Sequence, residues 1–159
     1  LMSYKELWGG YNHFLNEQGA DVYALGMHIK TRGEVSLFAK NILRIRGMAL
    51  YNADPDHLTC KALKQLLNVP IDDITKMSAY EIFDLANSIK DSQLSGHDAY
   101  MQYLASAVQA MKEIGMAEHV SEDLHNKLKD IQADPEQVRN LVTNARRCLI
   151  ELSGDELEL

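Results

Sequence analysis

The sequence predicts an all-α domain, and three observations carry that expectation. A Ser, Thr or Asp stands three residues ahead of a Glu or Gln at Ser3…Glu6, Thr31…Glu34, Ser78…Glu81 and Asp134…Gln137. Each pair has the form of a helix start, where the first side chain accepts from a free backbone N–H and the second reaches back. After these starts, apolar residues recur at steps of three and four, the repeat of one helix face. Strand signals are few, and Pro135 sits where a first helical residue is expected. The expected architecture is an irregular bundle of six to eight helices around a central hydrophobic helix at about 98–114. With 159 residues, the chain reads as a single helical domain over 1–159, large enough to fold without a metal or disulfide. A candidate subdomain joint lies near 92–96.

The elements follow in order. The first helix is expected over 4–17, with Leu7, Trp8, Tyr11, Phe14 and Leu15 on one face and Gly9-Gly10 inside it. A bend, or another backbone packed closely, would account for that glycine pair. A second helix is expected over 21–31, with Val22, Leu25 and Ile29 inward and Gly33 near its end. The third spans 34–52, the fourth 56–67 after Asp54-Pro55, and a short turn of helix holds 71–76 after Val69-Pro70. The fifth spans 79–91. Polar residues of 92–96 then lead to the helix at 98–114, apolar almost all round and ended by Gly115. A shorter helix is expected over 121–132 and a last one over 135–152, ended by Gly154 before a frayed acidic tail. Repeats of solenoid length are missing, and so is any low-complexity segment.

Charge divides unevenly within a net charge of −7. Residues 30–64 carry seven basic and three acidic groups, a net +4, whereas 65–159 carry eight basic and seventeen acidic groups, a net −9. An acidic chain repels nucleic acid overall, and only the 30–64 sector could attract it. A run of about eighteen apolar residues is absent, so a membrane span is not expected, and the N-terminus shows no signal-peptide pattern. Cys60 and Cys148 stand far apart and in no motif, which suits small core residues in a reducing, cytoplasmic setting.

Within the third helix, Val35, Phe38, Ala39, Ile42, Leu43, Ile45, Ala49 and Leu50 fill one arc, and Arg46 falls in the middle of it. An arginine on an apolar face keeps its charge, so Arg46 is read as a buried charge. Its stem can run to the domain edge, or its guanidinium can pair with an acid of the later helices such as Asp84. Lys40 and Arg44, four residues apart, face solvent. The seven methionines and seven tyrosines suit irregularly crossed helices or an adaptable binding surface.

Catalytic patterns are weak. Glu122-x-x-His125 has the spacing of di-iron bundle ligands, but its only companion is Asp54-x-x-His57, interrupted by Pro55. Glu122-x-x-His125 reads as a solvated i,i+3 pair, and no metal or other cofactor is expected. His97-Asp98 resembles the adjacent pair of HD-type phosphohydrolases, yet reads more simply as a helix start with Asp98 near the cap. A nucleophile elbow, a phosphate loop or a cysteine beside a base is nowhere evident.

Residues 58–74, LTCKALKQLLNVPIDDI, resemble the helix-turn-helix of Cro/repressor-type regulators. Leu63, Leu66, Leu67, Val69 and Ile74 match its apolar positions, and Asn68 stands where a left-handed turn residue belongs. The resemblance implies a nucleic-acid-binding regulator working through 58–76. Lys64 replaces the small residue at the helix crossing, and Asp72 and Asp73 open the would-be recognition helix, where phosphates would lie.

The reading that emerges is a non-enzymatic protein–protein interaction module (an adaptor, chaperone-like subunit or inhibitor) that uses charge-segregated helical faces. Its partner is another protein or a second copy of the chain. The candidate contact residues are Trp8, Tyr11, Lys40, Arg44, Met48 and Tyr51.

Overall fold

The structure is a computed structural model that describes the backbone of residues 4–158 and the side chains of 10–150. Eight α-helices and no strand are found among the described residues: α1 Tyr4–Arg32, α2 Leu37–Gly47, α3 Cys60–Leu67, α4 Ile71–Lys76, α5 Ala79–Asp91, α6 His97–Glu113, α7 Glu122–Leu128 and α8 Pro135–Glu158. Single 3-10 turns occupy Pro55–His57 and Ala117–His119. No helix is long and apolar enough to cross a membrane among the described residues.

The first two expected helices are one. Tyr11, Phe14, Gln18, Val22, Leu25 and Ile29 are all buried, at steps of three and four along α1. Gln18 is the reason the polar stretch 16–21 does not break it: the side chain is 1% exposed and its amide donates to the Leu58 carbonyl at 3.4 Å. A partner 40 residues away thus satisfies what looked like a loop residue. The helix also runs straight past Gly10, whose missing Cβ would lie 3.1 Å from the Tyr100 hydroxyl. A side chain, not a backbone, packs there.

Two apolar clusters form the interior, and α1 threads both. Its first half joins α6, α7 and α8 around Phe14, Tyr103, Leu104, Met111 and Val142. Its second half joins α2, α3, α4 and α5 around Val22, Ile29, Leu63, Leu66 and Ile82. The hydrophobic helix α6 is central to the first cluster, with Tyr103 through Val108 buried without interruption.

Caps set several boundaries. Ser78 accepts from the Glu81 N–H at 3.1 Å and starts α5 where expected, while Asp134 Oδ1 accepts from the Glu136 N–H at 3.0 Å at the head of α8. Ser3 lies outside the described residues. Thr31 does not begin a helix. It is still inside α1, its hydroxyl donating to the Met27 carbonyl at 2.8 Å, and α2 is capped instead by Ser36. The third helix is also shorter than expected, ending at Gly47 rather than at 52. Residues 48–54 form turns closed by Ala53 N–H to Leu50 O at 3.2 Å and Asp54 N–H to Ala49 O at 3.0 Å. That is the 5→2 and 6→1 pairing of a Schellman ending, with Ala53 at φ +53° in the place usually given to glycine. In the other direction, α8 continues through Gly154 to Glu158.

Gly47 marks a close approach between α2 and α8. A Cβ there would lie 2.1 Å from Cys148 Sγ, so α2 meets α8 at a distance that only glycine permits.

Candidate functional site

The wide apolar arc of α2 is only half used by the core. Ala39, Ala49 and Leu50 are buried, and Val35, Ile42 and Leu43 are half-buried. Leu37, Phe38 and Ile45 remain 69%, 63% and 55% exposed. An eleven-residue helix that packs on α3 and α8 covers one side of itself, and an arc wider than that side spills into solvent. Leu37, Asn41, Arg44 and Ile45 fall at i, i+4, i+7 and i+8, the spacing of a helix-docking stripe, and Phe38 borders it. Arg44 leans along this stripe, donating to Asn41 Oδ1 at 3.0 Å. Phe38 rests its ring on His28, centroids 5.4 Å apart, and His28 Nε2 lies 2.6 Å from the capping Ser36 hydroxyl. Lys40 is exposed.

Not all the residues singled out from sequence meet on this face. Tyr11 is not a surface residue: it is 9% exposed, donates to the Leu94 carbonyl and accepts from the Gly96 N–H, both at 3.0 Å. It belongs to the first core cluster, where it fastens the 92–96 joint. Met48 and Tyr51 are half-buried, Met48 as the C-cap of α2 and Tyr51 packed on that same cluster. The side chain of Trp8 lies outside the described residues.

Arg46 is paired, but not with Asp84, which is exposed on α5. Its Nε stands 2.7 Å from Asp21 Oδ2 and its second terminal nitrogen 3.1 Å from Asp21 Oδ1, a two-point contact between α2 and α1. Nor is it fully buried, its side chain being 28% exposed and that of Asp21 14%. The fully buried Thr59 donates its hydroxyl to Asp21 Oδ2 at 2.5 Å, so one carboxylate ties three chain segments. Asp21 became a candidate partner only once α1 was continuous and α2 folded back on it.

Beside this knot lies the densest set of titratable groups. His57 sits between two carboxylates, Nδ1 at 2.6 Å from Asp54 and Nε2 at 3.1 Å from Glu17. The contact with Asp54 raises its pKa above the ordinary 6.5, burial opposing. Asp54 and His57 thus form an i,i+3 bridge that stays partly open to solvent, the Asp54 side chain being 45% exposed. Burial also pushes the Asp56 carboxyl up, against the Tyr100 hydroxyl that donates to it at 3.2 Å. Tyr103 donates to the Pro55 carbonyl at 2.6 Å. This cluster resembles a catalytic site in composition but not in geometry. Both imidazole nitrogens face carboxylates, so neither is left to take a proton from a nucleophile or to bind a metal. The neighbouring hydroxyl, Thr59, is committed to Asp21. Among the described residues, no group of three His, Cys, Asp or Glu is placed to hold a metal ion.

A cleft of about 480 Å³ opens between α1, α3 and α8. Carboxamides line it (Gln18, Gln93, Gln137, Asn140 and Asn144), together with Lys61 and the carboxylates Asp134 and Glu136. The spacing of Gln137, Asn140 and Asn144 at i, i+3 and i+7 was visible in the sequence; their convergence with Gln18 and Gln93 needed the fold. The amides both donate and accept, which suits the binding of a polar group.

The segment resembling a helix-turn-helix folds as two helices, α3 and α4, but the joint differs. Asn68 is right-handed, at φ −75° and ψ −16°. Helix α4 has six residues, buries Ile74 and packs on α1, leaving Asp72 and Asp73 exposed. Gly96 caps α6 and Asp98 lies in its first turn, the helix start expected there, while His97 packs tilted against the Tyr11 ring with centroids 5.2 Å apart. Comparison of the chain with protein-family models, with curated proteins and with solved structures returns no match.

Proposed function

We propose that this chain is a non-enzymatic protein–protein interaction module, an adaptor, chaperone-like subunit or inhibitor, and that α2 is its contact face. The observation that carries the reading is the stripe of Leu37, Phe38 and Ile45, three large apolar side chains more than half exposed on one helix, with Lys40 and Arg44 beside them. An apolar patch with a basic rim is the composition of a binding surface that selects an acidic partner. The closed coordination of His57 supports the non-enzymatic part. The two buried cysteines, neither in a disulfide, fit a reducing, cytoplasmic setting.

The test is chemical cross-linking of the chain in its native mixture, with the cross-linked peptides mapped by mass spectrometry. Links concentrated on 37–45, lost when Phe38 and Lys40 are both changed to Glu, are the expected result. A chain that recovers no partner and stays monomeric overturns the reading. Binding of duplex DNA through α3 and α4 is the competing function. It requires a salt-sensitive mobility shift abolished by Lys61→Glu with Lys64→Glu, and the exposed Asp72 and Asp73 oppose it.

A further inference from the structure

The cleft between α1, α3 and α8 holds hydrogen-bonding groups that the fold leaves unused. Gln18 lines it and is 1% exposed, yet its side chain makes one bond to a described residue, from Nε2 to the Leu58 carbonyl. Its Oε1 accepts from no described residue. Gln93 is alike. Its Nε2 donates to Gln65 Oε1 at 2.6 Å and to the Ile89 carbonyl at 2.8 Å, while its Oε1 accepts from none. From α8 come Gln137, half-buried, with Asn140 and Asn144, and the side chains of all three make no hydrogen bond to a described residue. A buried amide oxygen needs a donor, and here it has to come from what enters the cleft, water or ligand.

The lining narrows the ligand. Lys61 is opposed by Asp134 and Glu136, so there is no excess of positive charge to draw a phosphate or a nucleic acid. Phe14, Leu58, Leu94, Tyr103 and Leu141 supply apolar surface, the Phe14 and Tyr103 rings standing 5.0 Å apart. The ligand that fits is neutral, with donors and acceptors along its edges and an apolar group. An extended peptide has these features, its N–H and C=O groups pointing to either side and its side chains above and below. The spacing agrees. Asn140 and Asn144 are one turn apart, about 6 Å along α8, close to the ~6.7 Å between alternate residues of an extended chain. Each carboxamide offers the donor and the acceptor of a peptide group, so each can pair with both.

We infer that this cleft binds a short extended peptide segment of another protein. Asn140 and Asn144 pair with its main chain, the oxygens of Gln18 and Gln93 accept from its N–H groups, and one apolar side chain packs on Phe14 and Tyr103. Gln137 to Asn144 spans about 10 Å, the length of about three extended residues. A main chain read by amides gives affinity without fixing the sequence, and the apolar pocket supplies what selectivity there is. The inference stands on the cleft and not on the α2 stripe, so either can fail alone.

Selection of a phage-displayed random heptapeptide library on the full chain, followed by fluorescence anisotropy with a selected peptide, tests this. The selected peptides are expected to share one apolar residue and little else. Changing Asn140→Ala together with Asn144→Ala should raise the dissociation constant at least about tenfold. Both side chains are exposed, so helix content by circular dichroism should be unchanged. A second measurement leaves the protein as it is. Methylating the central main-chain nitrogens of the peptide removes its donors and should weaken binding at least about tenfold as well. Phe38→Glu, on α2, should leave the affinity unchanged. No enriched peptide, or a peptide whose affinity survives either change, overturns the inference. A peptide lost with Phe38→Glu and kept by the asparagine variant belongs to the α2 stripe, which sinks the cleft and favours the contact-face reading.

Discussion

Replacing Gly47 with Ala sets two opposing effects against each other at one atom. Alanine is the better helix former, and in a helix interior the exchange favours the folded state by about 1 kcal/mol. At the last residue of α2 the gain is about half of that. Against it, the new Cβ would lie 2.1 Å from Cys148 Sγ and 3.1 Å from Cys148 Cβ. Cys148 is 6% exposed and held on α8, so the sulfur cannot simply swing into solvent. Overpacking of this kind costs about 1–3 kcal/mol. The clash wins, and Gly47→Ala should destabilise the chain by about 2 kcal/mol, lowering the melting temperature by about 4–8 °C for a chain of this size. Cys148→Ala removes the offending sulfur. On that background the same exchange should be neutral or stabilising, because the Cβ then fills part of the space left behind. Thermal unfolding of the four proteins of this cycle measures the coupling. A Gly47→Ala protein as stable as the parent, or equal effects on both backgrounds, would refute the argument that α2 and α8 meet at a glycine-limited distance.

Three further outcomes follow from the same geometry. Asp21→Ala should cost about 2–3 kcal/mol in urea unfolding, since it strands both the Arg46 guanidinium and the buried Thr59 hydroxyl; the value stays below that of a fully buried pair because Arg46 is 28% exposed. Adding Arg46→Met should recover part of the loss, and strict additivity would sink the account. His57 has a folded-state pKa raised above 6.5, so the stability it contributes is complete below about pH 6.5 and fades as pH rises through the raised value. The stability difference between the parent and His57→Gln should therefore shrink as the pH rises from 6 through the raised pKa; a constant difference would show that the imidazole charge plays no part. Ala53→Gly should stabilise by about 0.5–1 kcal/mol, the relief at φ +53° exceeding the added freedom of the unfolded chain.

Much of the fold was legible because its signals are local. The bounds of α5 follow from Ser78, whose hydroxyl caps the helix within three residues of itself, and α6 announces itself by being apolar on nearly every side. The misreadings have two causes. The stretch around Gln18 looks like a break until Leu58, 40 residues away, supplies an acceptor. Thr31 and the end of α2 are decided by bonds within five residues, from the Thr31 hydroxyl to Met27 and from the Ala53 and Asp54 N–H groups to Leu50 and Ala49, where two local preferences compete. The exposed stripe of α2 was half visible. Lys40 and Arg44 were readable as solvent-facing from their spacing alone, but Phe38 and Ile45 share the arc of true core residues. Hydrophobic periodicity reports which face is apolar and not how much of that face the rest of the molecule covers.

By itself the sequence determined the fold class, the placement of most helices and the uneven division of charge, because capping, periodicity and composition act within a few residues of where they are written. Tertiary structure alone decided that α1 serves two clusters, that Arg46 answers to Asp21, that both nitrogens of His57 are engaged and that the outer edge of α2 is bare. Those are properties of surfaces meeting across tens of residues. Which apolar atoms reach water is settled only when every helix has taken its place.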